Sequence, residues 1–181
     1  MKKLISLFLF LSANTLFSQT IKPLKELINT EEPGWDLVKE WIAEAKNKVE
    51  VLPANAIKAE ESLYAIQVTT RSPMGAIVYS TGGLLVDNGW IRILGSGSEK
   101  LNRSLPEWNK GKGFNKNNVP SGFLLVADDA IGGFFILNGG KRGSDVGKIY
   151  YLAPDTLEYE ALDITYSEFL HFCFDNDLDK F

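Results

Sequence analysis

The stretch from Leu84 to Leu94 constrains the fold of this chain more than any other. Two apolar runs, Leu84–Val86 and Trp90–Leu94, flank Asp87-Asn88-Gly89, and Asn-Gly readily takes the positive backbone angles that a tight hairpin needs. A hairpin is predicted here, with Trp90, Ile91, Arg92 and Ile93 in a half-exposed strand. The same pattern returns further on. Gly122–Ala127, Gly133–Leu137 and Lys148–Leu152 read as three more strands, separated by turn residues at Asp128–Gly132 and Asn138–Gly147. After a turn at Pro154 and Asp155, Leu157–Ala161 can pair as a last short strand.

Ahead of this sheet the period changes to that of helices. Leu24, Leu27 and Ile28 share helical spacing between Ile21 and Thr30. Pro33 suits a first helical turn, and Trp35, Val38, Ile42 and Ala45 then line one face beside Trp41, with Asp36, Glu40 and Glu44 on another. Pro53 ends an extended stretch at Val49–Leu52, and Ala54–Ala65 has the alanine, glutamate and lysine content of a third helix. Tyr64, Ile66 and Val68 either extend it or begin a strand. Helical spacing resumes from Tyr166 to Phe174. Helices, then sheet, then helix argue for an α+β fold with helices packed on one face of an antiparallel sheet. Gly95–Asn118 is polar and longer than an ordinary connection, so it is either a functional loop or partly mobile, tacked down by Leu101, Leu105 and Trp108.

Met1–Gln19 reads as an export signal, with Lys2 and Lys3 ahead of a short apolar core, Leu4–Leu11. That core falls short of the roughly 20 apolar residues that span a bilayer, so cleavage near Ser18 or Gln19 and a periplasmic or secreted product are expected, with no transmembrane span after cleavage. Thr20–Phe181 then forms a single domain. The formal charge is −4 and becomes two units more negative when Lys2 and Lys3 leave, which disfavours nucleic acid as a partner. Cys173 is the one cysteine, so no intramolecular disulfide can form. Among Phe169, Leu170, Phe172 and Phe174 it reads as a small buried hydrophobe. A thiol nucleophile with His171 as base is disfavoured, because residues two apart on a helix or strand do not face one substrate.

No HExxH, CxxC, GxSxG or P-loop pattern is present and His171 is the one histidine, so no catalytic set, metal or cofactor is expected. Asp128 and Asp129 could hold a cation or exchange protons, but adjacent aspartates at a strand end serve a turn more often. Gly132, Gly133, Gly139 and Gly140 precede no helix and read as turn and bulge positions rather than a phosphate cradle. Arg71, Trp90, Arg92, Arg103 and Trp108 are candidates for binding, since arginine and tryptophan dominate hot spots; the alternative is that each is a packed surface residue or core aromatic. Two readings follow. In the first, a non-catalytic exported domain binds a partner through Trp90, Arg92, Arg103 and Trp108, and joint substitution of the two arginines weakens capture with little loss of stability. In the second, Asp128, Asp129 and Arg71 surround the cleft of a small envelope carbohydrate-binding protein or hydrolase, whose carboxylates must face each other across roughly 5 to 10 Å.

Segments through the chain resemble the bacterial family called domain of unknown function 2625. They include Leu27-Ile28-Asn29-Thr30-Glu31-Glu32-Pro33, Gln67-Val68-Thr69-Thr70-Arg71-Ser72-Pro73, Gly82-Gly83-Leu84-Leu85-Val86-Asp87, Trp90 to Gly97, Gly122 to Asp129 and Tyr150 to Leu157. The resemblance covers nearly the whole mature chain, and the family carries no established activity. In architecture the chain is also similar to the SUKH superfamily, whose bacterial members are often immunity proteins. That likeness implies stoichiometric binding to a toxin, an acidic face meeting a basic partner. The chain stops soon after its last aromatic helix, so a C-terminal segment of longer relatives is expected to be missing.

Overall fold

Alternation of apolar and turn residues builds a seven-stranded sheet in which every strand pairs antiparallel with its sequence neighbour, in the order β1 to β7. The computed structural model describes residues 21–115 and 120–178, so the expected export signal, the end of the 95–118 connection and the last residues lie outside the described residues. The strands are β1 Val49–Pro53, β2 Thr81–Val86, β3 Ile91–Leu94, β4 Phe123–Asp129, β5 Phe134–Asn138, β6 Lys148–Leu152 and β7 Tyr159–Thr165. The helices are α1 Leu24–Leu27, α2 Gly34–Glu44, α3 Ala56–Ile66, α4 Pro73–Ser80, α5 Leu105–Asn109 and α6 Tyr166–Asp175. The fold class is α+β.

The β2–β3 hairpin forms where Asn-Gly predicts it, with Asp87, Asn88 and Gly89 all at positive φ in a short 3-10 turn. Strand periodicity then assigns the two faces. Leu84, Ile93, Ala127, Phe135 and Tyr151 follow one another across the register and belong to the main core with Val38 of α2, Ile77 of α4 and Phe169 of α6. Phe135 and Phe169 meet with ring centroids 4.8 Å apart. The opposite face carries Leu85, Arg92, Asp128, Phe134, Leu152 and Tyr159. There the 95–115 connection lies over β2–β4, with Trp108 of α5 beside Phe134.

Several boundaries differ from expectation. Ser72 accepts from the Gly75 N–H as the cap of α4, whose apolar turns Met74–Val78 are all buried; a helix buried all round has no amphipathic stripe to reveal it. Pro33 caps α2 rather than entering its first turn. The helix α3 ends at Gln67, which turns left-handed, so Val68 begins no strand. The last strand runs on to Thr165. The connection after β3 is anchored rather than loose over its described length: Ser96 and Gly97 donate to Thr81 and Gly82 carbonyls at 3.0 and 2.9 Å, and Leu101 and Leu105 are buried. A Cβ at Gly95 would fall 2.5 Å from the Gly83 nitrogen, so this crossing needs glycine.

Candidate functional site

Strand register starts one cluster. Arg92 on β3 pairs with Asp128 on β4, which places both side chains on the same face of the sheet. Arg92 Nε donates to Asp128 Oδ1 and its Nη2 to the Asp129 carbonyl. Arg103 arrives from the connection above, donating through Nε to Asp128 Oδ2 at 3.1 Å and also through Nη2. The Asp128 side chain is 3% exposed, those of Arg92 and Arg103 31% and 23%. Arg103 also stands over the Trp108 ring, 4.8 Å from its centroid, and Lys112 Nζ lies 4.3 Å from the same centroid. Arg92, Arg103, Asp128 and Trp108 are thus one constellation. Its geometry is that of a clasp, in which Arg92 from β3 and Arg103 from the 95–104 segment close on one buried carboxylate.

That geometry speaks against the expectation that joint loss of Arg92 and Arg103 costs little stability. Removing both would leave Asp128 buried without its counter-ions, which is costly.

The other candidates lie apart from the cluster. Asp129 points to the opposite face of β4, as successive strand residues must. Its Oδ1 accepts from the Ile131 and Gly133 N–H groups at 3.0 and 2.7 Å, and its Oδ2 from Tyr151 Oη at 2.6 Å. Burial first, and the Asp129 carboxylate second, push the Tyr151 hydroxyl well above its ordinary pKa. Asp129 therefore does hold the β4–β5 turn. A Cβ at Gly133 would lie 2.2 Å from Tyr151 Oη, so the turn admits no side chain there. Asp128 and Asp129 do not face one another across a cleft. Arg71 sits ahead of α4, two-thirds exposed and paired with Glu32, so the arrangement of Asp128, Asp129 and Arg71 around one site is not formed. Trp90 stands at the head of β3, its carbonyl accepting from the Ala130 N–H at 2.9 Å and its side chain packed against the core.

On α6, Cys173 is fully buried while His171 is exposed, 4.6 Å from the Trp41 ring and 3.3 Å from Asp175. Burial pushes the Cys173 thiol well up, which leaves no nucleophile–base pair. Among the described residues no group of three or more His, Cys, Asp or Glu is placed to hold a metal ion.

Two grooves flank Trp108. One, of about 280 Å3, is polar and lies between α3 and the connection, lined by Lys58, Gly97, Ser98, Asn102, Arg103, Glu107 and Trp108. Its carboxyl is committed: Glu107 accepts from the Ser104 backbone N–H at 2.9 Å and from its hydroxyl at 2.8 Å, and these bonds, with Lys58 nearby, lower its pKa. The other, of about 240 Å3, is apolar and lies on the second face of β4–β7, lined by Lys112, Phe123, Leu125, Phe134, Leu152 and Tyr159. Sequence reading missed this groove, because its floor is contributed one or two residues at a time by four strands. The available signal was the two-residue alternation of Phe123 with Leu125 and of Phe134 with Ile136, opposite to the core-facing positions.

The family model for protein of unknown function DUF2625 matches residues 24–181. An uncharacterized protein of Escherichia coli strain K12, YbfG, is 46% identical over 161 residues, covering 89% of this chain and 73% of that protein. An uncharacterized protein of Haemophilus influenzae is 44% identical over 161 residues, covering 89% of this chain and 71% of its own length.

Proposed function

The chain belongs to the DUF2625 family, proteins of unknown function, and from that premise we propose that it is a non-catalytic domain that binds a protein partner. One observation carries this reading. The carboxylates that a hydrolase would use are occupied: Asp128 closes an arginine clasp and Asp129 a turn, while the second sheet face presents an aromatic groove beside Trp108. A groove of about 240 Å3 is smaller than the roughly 300 to 1,000 Å3 of small-molecule sites. It suits one or two anchoring side chains of a protein surface instead.

Neutralising a toxin, the role that the SUKH likeness implies, is one form of this activity, since it needs a stoichiometric interface and no turnover. Export through Met1–Gln19 belongs to the same proposal and would have the partner met in the periplasm or outside the cell. The carbohydrate reading has less behind it. Stacking of a sugar uses open ring faces, and Lys112, Lys141 and Arg142 each cover one face of Trp108, Phe123 and Tyr159, which leaves fewer of them.

Affinity capture with the mature chain as bait, from envelope and secreted fractions of its own cells, tests the proposal. Recovery of one protein at fixed stoichiometry supports it. Recovery of glycan without protein, or turnover of cell-wall fragments, contradicts it.

A further inference from the structure

The apolar groove has a basic rim. Lys112 Nζ is 4.3 Å from the Trp108 centroid, Lys141 Nζ 5.1 Å from that of Phe123, and the Arg142 guanidinium 3.5 Å from that of Tyr159. All three cations are exposed, and none has an ion-pair partner among the described residues. Of the ion pairs that do form, Lys39 with Asp36 and Lys100 with Glu50 lie elsewhere, and Asp128, the register partner of Phe134, is taken by Arg92 and Arg103. Asp145, the carboxylate of the 139–147 turn, accepts from Tyr150 Oη at 2.8 Å and Asn138 Nδ2 at 2.9 Å; it keeps its charge but, among the described residues, forms no ion pair with the three cations, which outnumber it. A chain of formal charge −4 thus gathers unpaired positive charge around its aromatic groove. Its exposed acids on α2, Asp36, Glu40 and Glu44, belong to the helix-covered face.

Resting on the protein-binding reading above, we infer that this groove docks an acidic segment of the partner, one in which apolar anchors alternate with aspartate or glutamate. The apolar side chains enter between Phe123, Phe134 and Tyr159, and the flanking carboxylates meet Lys112, Lys141 and Arg142. Charge complementarity of this kind fixes register and speeds encounter. The three cations are held over ring faces in advance, which lowers the ordering cost of binding. The polarity is the reverse of what the net charge alone implies, an acidic face meeting a basic partner.

The probe is a fluorescein-labelled peptide of alternating glutamate with phenylalanine and leucine, compared with its lysine counterpart by anisotropy at low and moderate salt. The acidic peptide should bind the mature chain at least about tenfold more tightly, with affinity falling as salt rises. Lys112→Glu with Arg142→Glu should reverse the preference, and the glutamine pair at these positions should abolish it. Both variants change exposed residues, and circular dichroism checks that they fold. Equal binding of the two peptides, or an unchanged preference in the reversed variant, overturns the inference. So does binding of phosphatidylglycerol vesicles without binding of the acidic peptide, which would assign the rim to a lipid surface. Its failure is distinguishable from that of the broader reading. A captured partner that the reversed variant still binds removes the groove and leaves protein binding standing, whereas absence of any captured protein removes protein binding itself.

Discussion

Arg92 and Asp128 are register partners on adjacent strands, and the guanidinium of one is ion-paired with the nearly buried carboxylate of the other. With Arg103 completing the clasp, the pair ties β3, β4 and the connection between them into one unit. Asp128→Asn is expected to lower the unfolding free energy by about 3 kcal/mol, in the range for breaking a buried pair from one side. Arg92→Ala with Arg103→Ala should cost more than the sum of the single substitutions, because either arginine alone still pairs with Asp128 and only the double variant leaves that carboxylate without a counter-ion. Urea denaturation of the four variants measures both.

Asn109 is fully buried and serves as a piece of strand. The strand β3 ends at Leu94, so nothing on that side continues to pair with β4 at Leu125; instead Asn109 Oδ1 accepts from the Leu125 N–H at 2.8 Å and its Nδ2 donates to the Leu125 carbonyl at 2.8 Å. Asn109→Leu leaves both backbone groups without partners, and each buried unsatisfied group costs about 1 to 3 kcal/mol. A loss of at least about 2 kcal/mol is expected, together with faster amide exchange at Leu125.

Tyr151 and Tyr166 should respond oppositely to the same substitution. Tyr151 donates to Asp129, so Tyr151→Phe removes a charge-assisted bond and should destabilise by about 1.5 to 3 kcal/mol. The Tyr166 hydroxyl is buried with no hydrogen-bond partner among the described residues, so Tyr166→Phe should be neutral or stabilising by up to about 1 kcal/mol. Thermal melts of the two variants decide it.

Both hydroxyls are raised well above the ordinary tyrosine value, in each case by burial first. In the unfolded chain they ionise near pH 10, so above that pH the unfolded state binds fewer protons and stability falls as pH rises. Their contribution is fully present below pH 10 and lost above it. An alkaline titration should show tyrosinate absorbance from these two appearing only with cooperative unfolding; smooth titration of every tyrosine while the fold persists would contradict this.

The hairpin at Leu84–Leu94 and the strands at Phe123–Asp129, Phe134–Asn138 and Lys148–Leu152 are legible because alternation and turn chemistry are local. The helix Pro73–Ser80 escapes because Met74–Val78 is apolar on every side; only the Ser72-Pro73 start marked it, a cap residue followed by proline at the first turn. Sequence picks out Arg92, Arg103, Asp128 and Trp108 by residue type, yet their meeting depends on strand register and on a connection folding back over the sheet. It cannot tell that Asp128 and Asp129 take opposite faces until the strand is known to continue through both, because a turn beginning at Asp128 would free them from alternation.

The central claim is that this chain binds a protein through the second face of its sheet, and site-specific photocrosslinking in its own cells tests it most directly. A crosslinker replacing Tyr159, at the apolar groove, is expected to join one protein in a one-to-one product; the same crosslinker at Ile57, exposed on α3, should give none. A partner joined only through Ile57, or no protein product from Tyr159, would contradict the account.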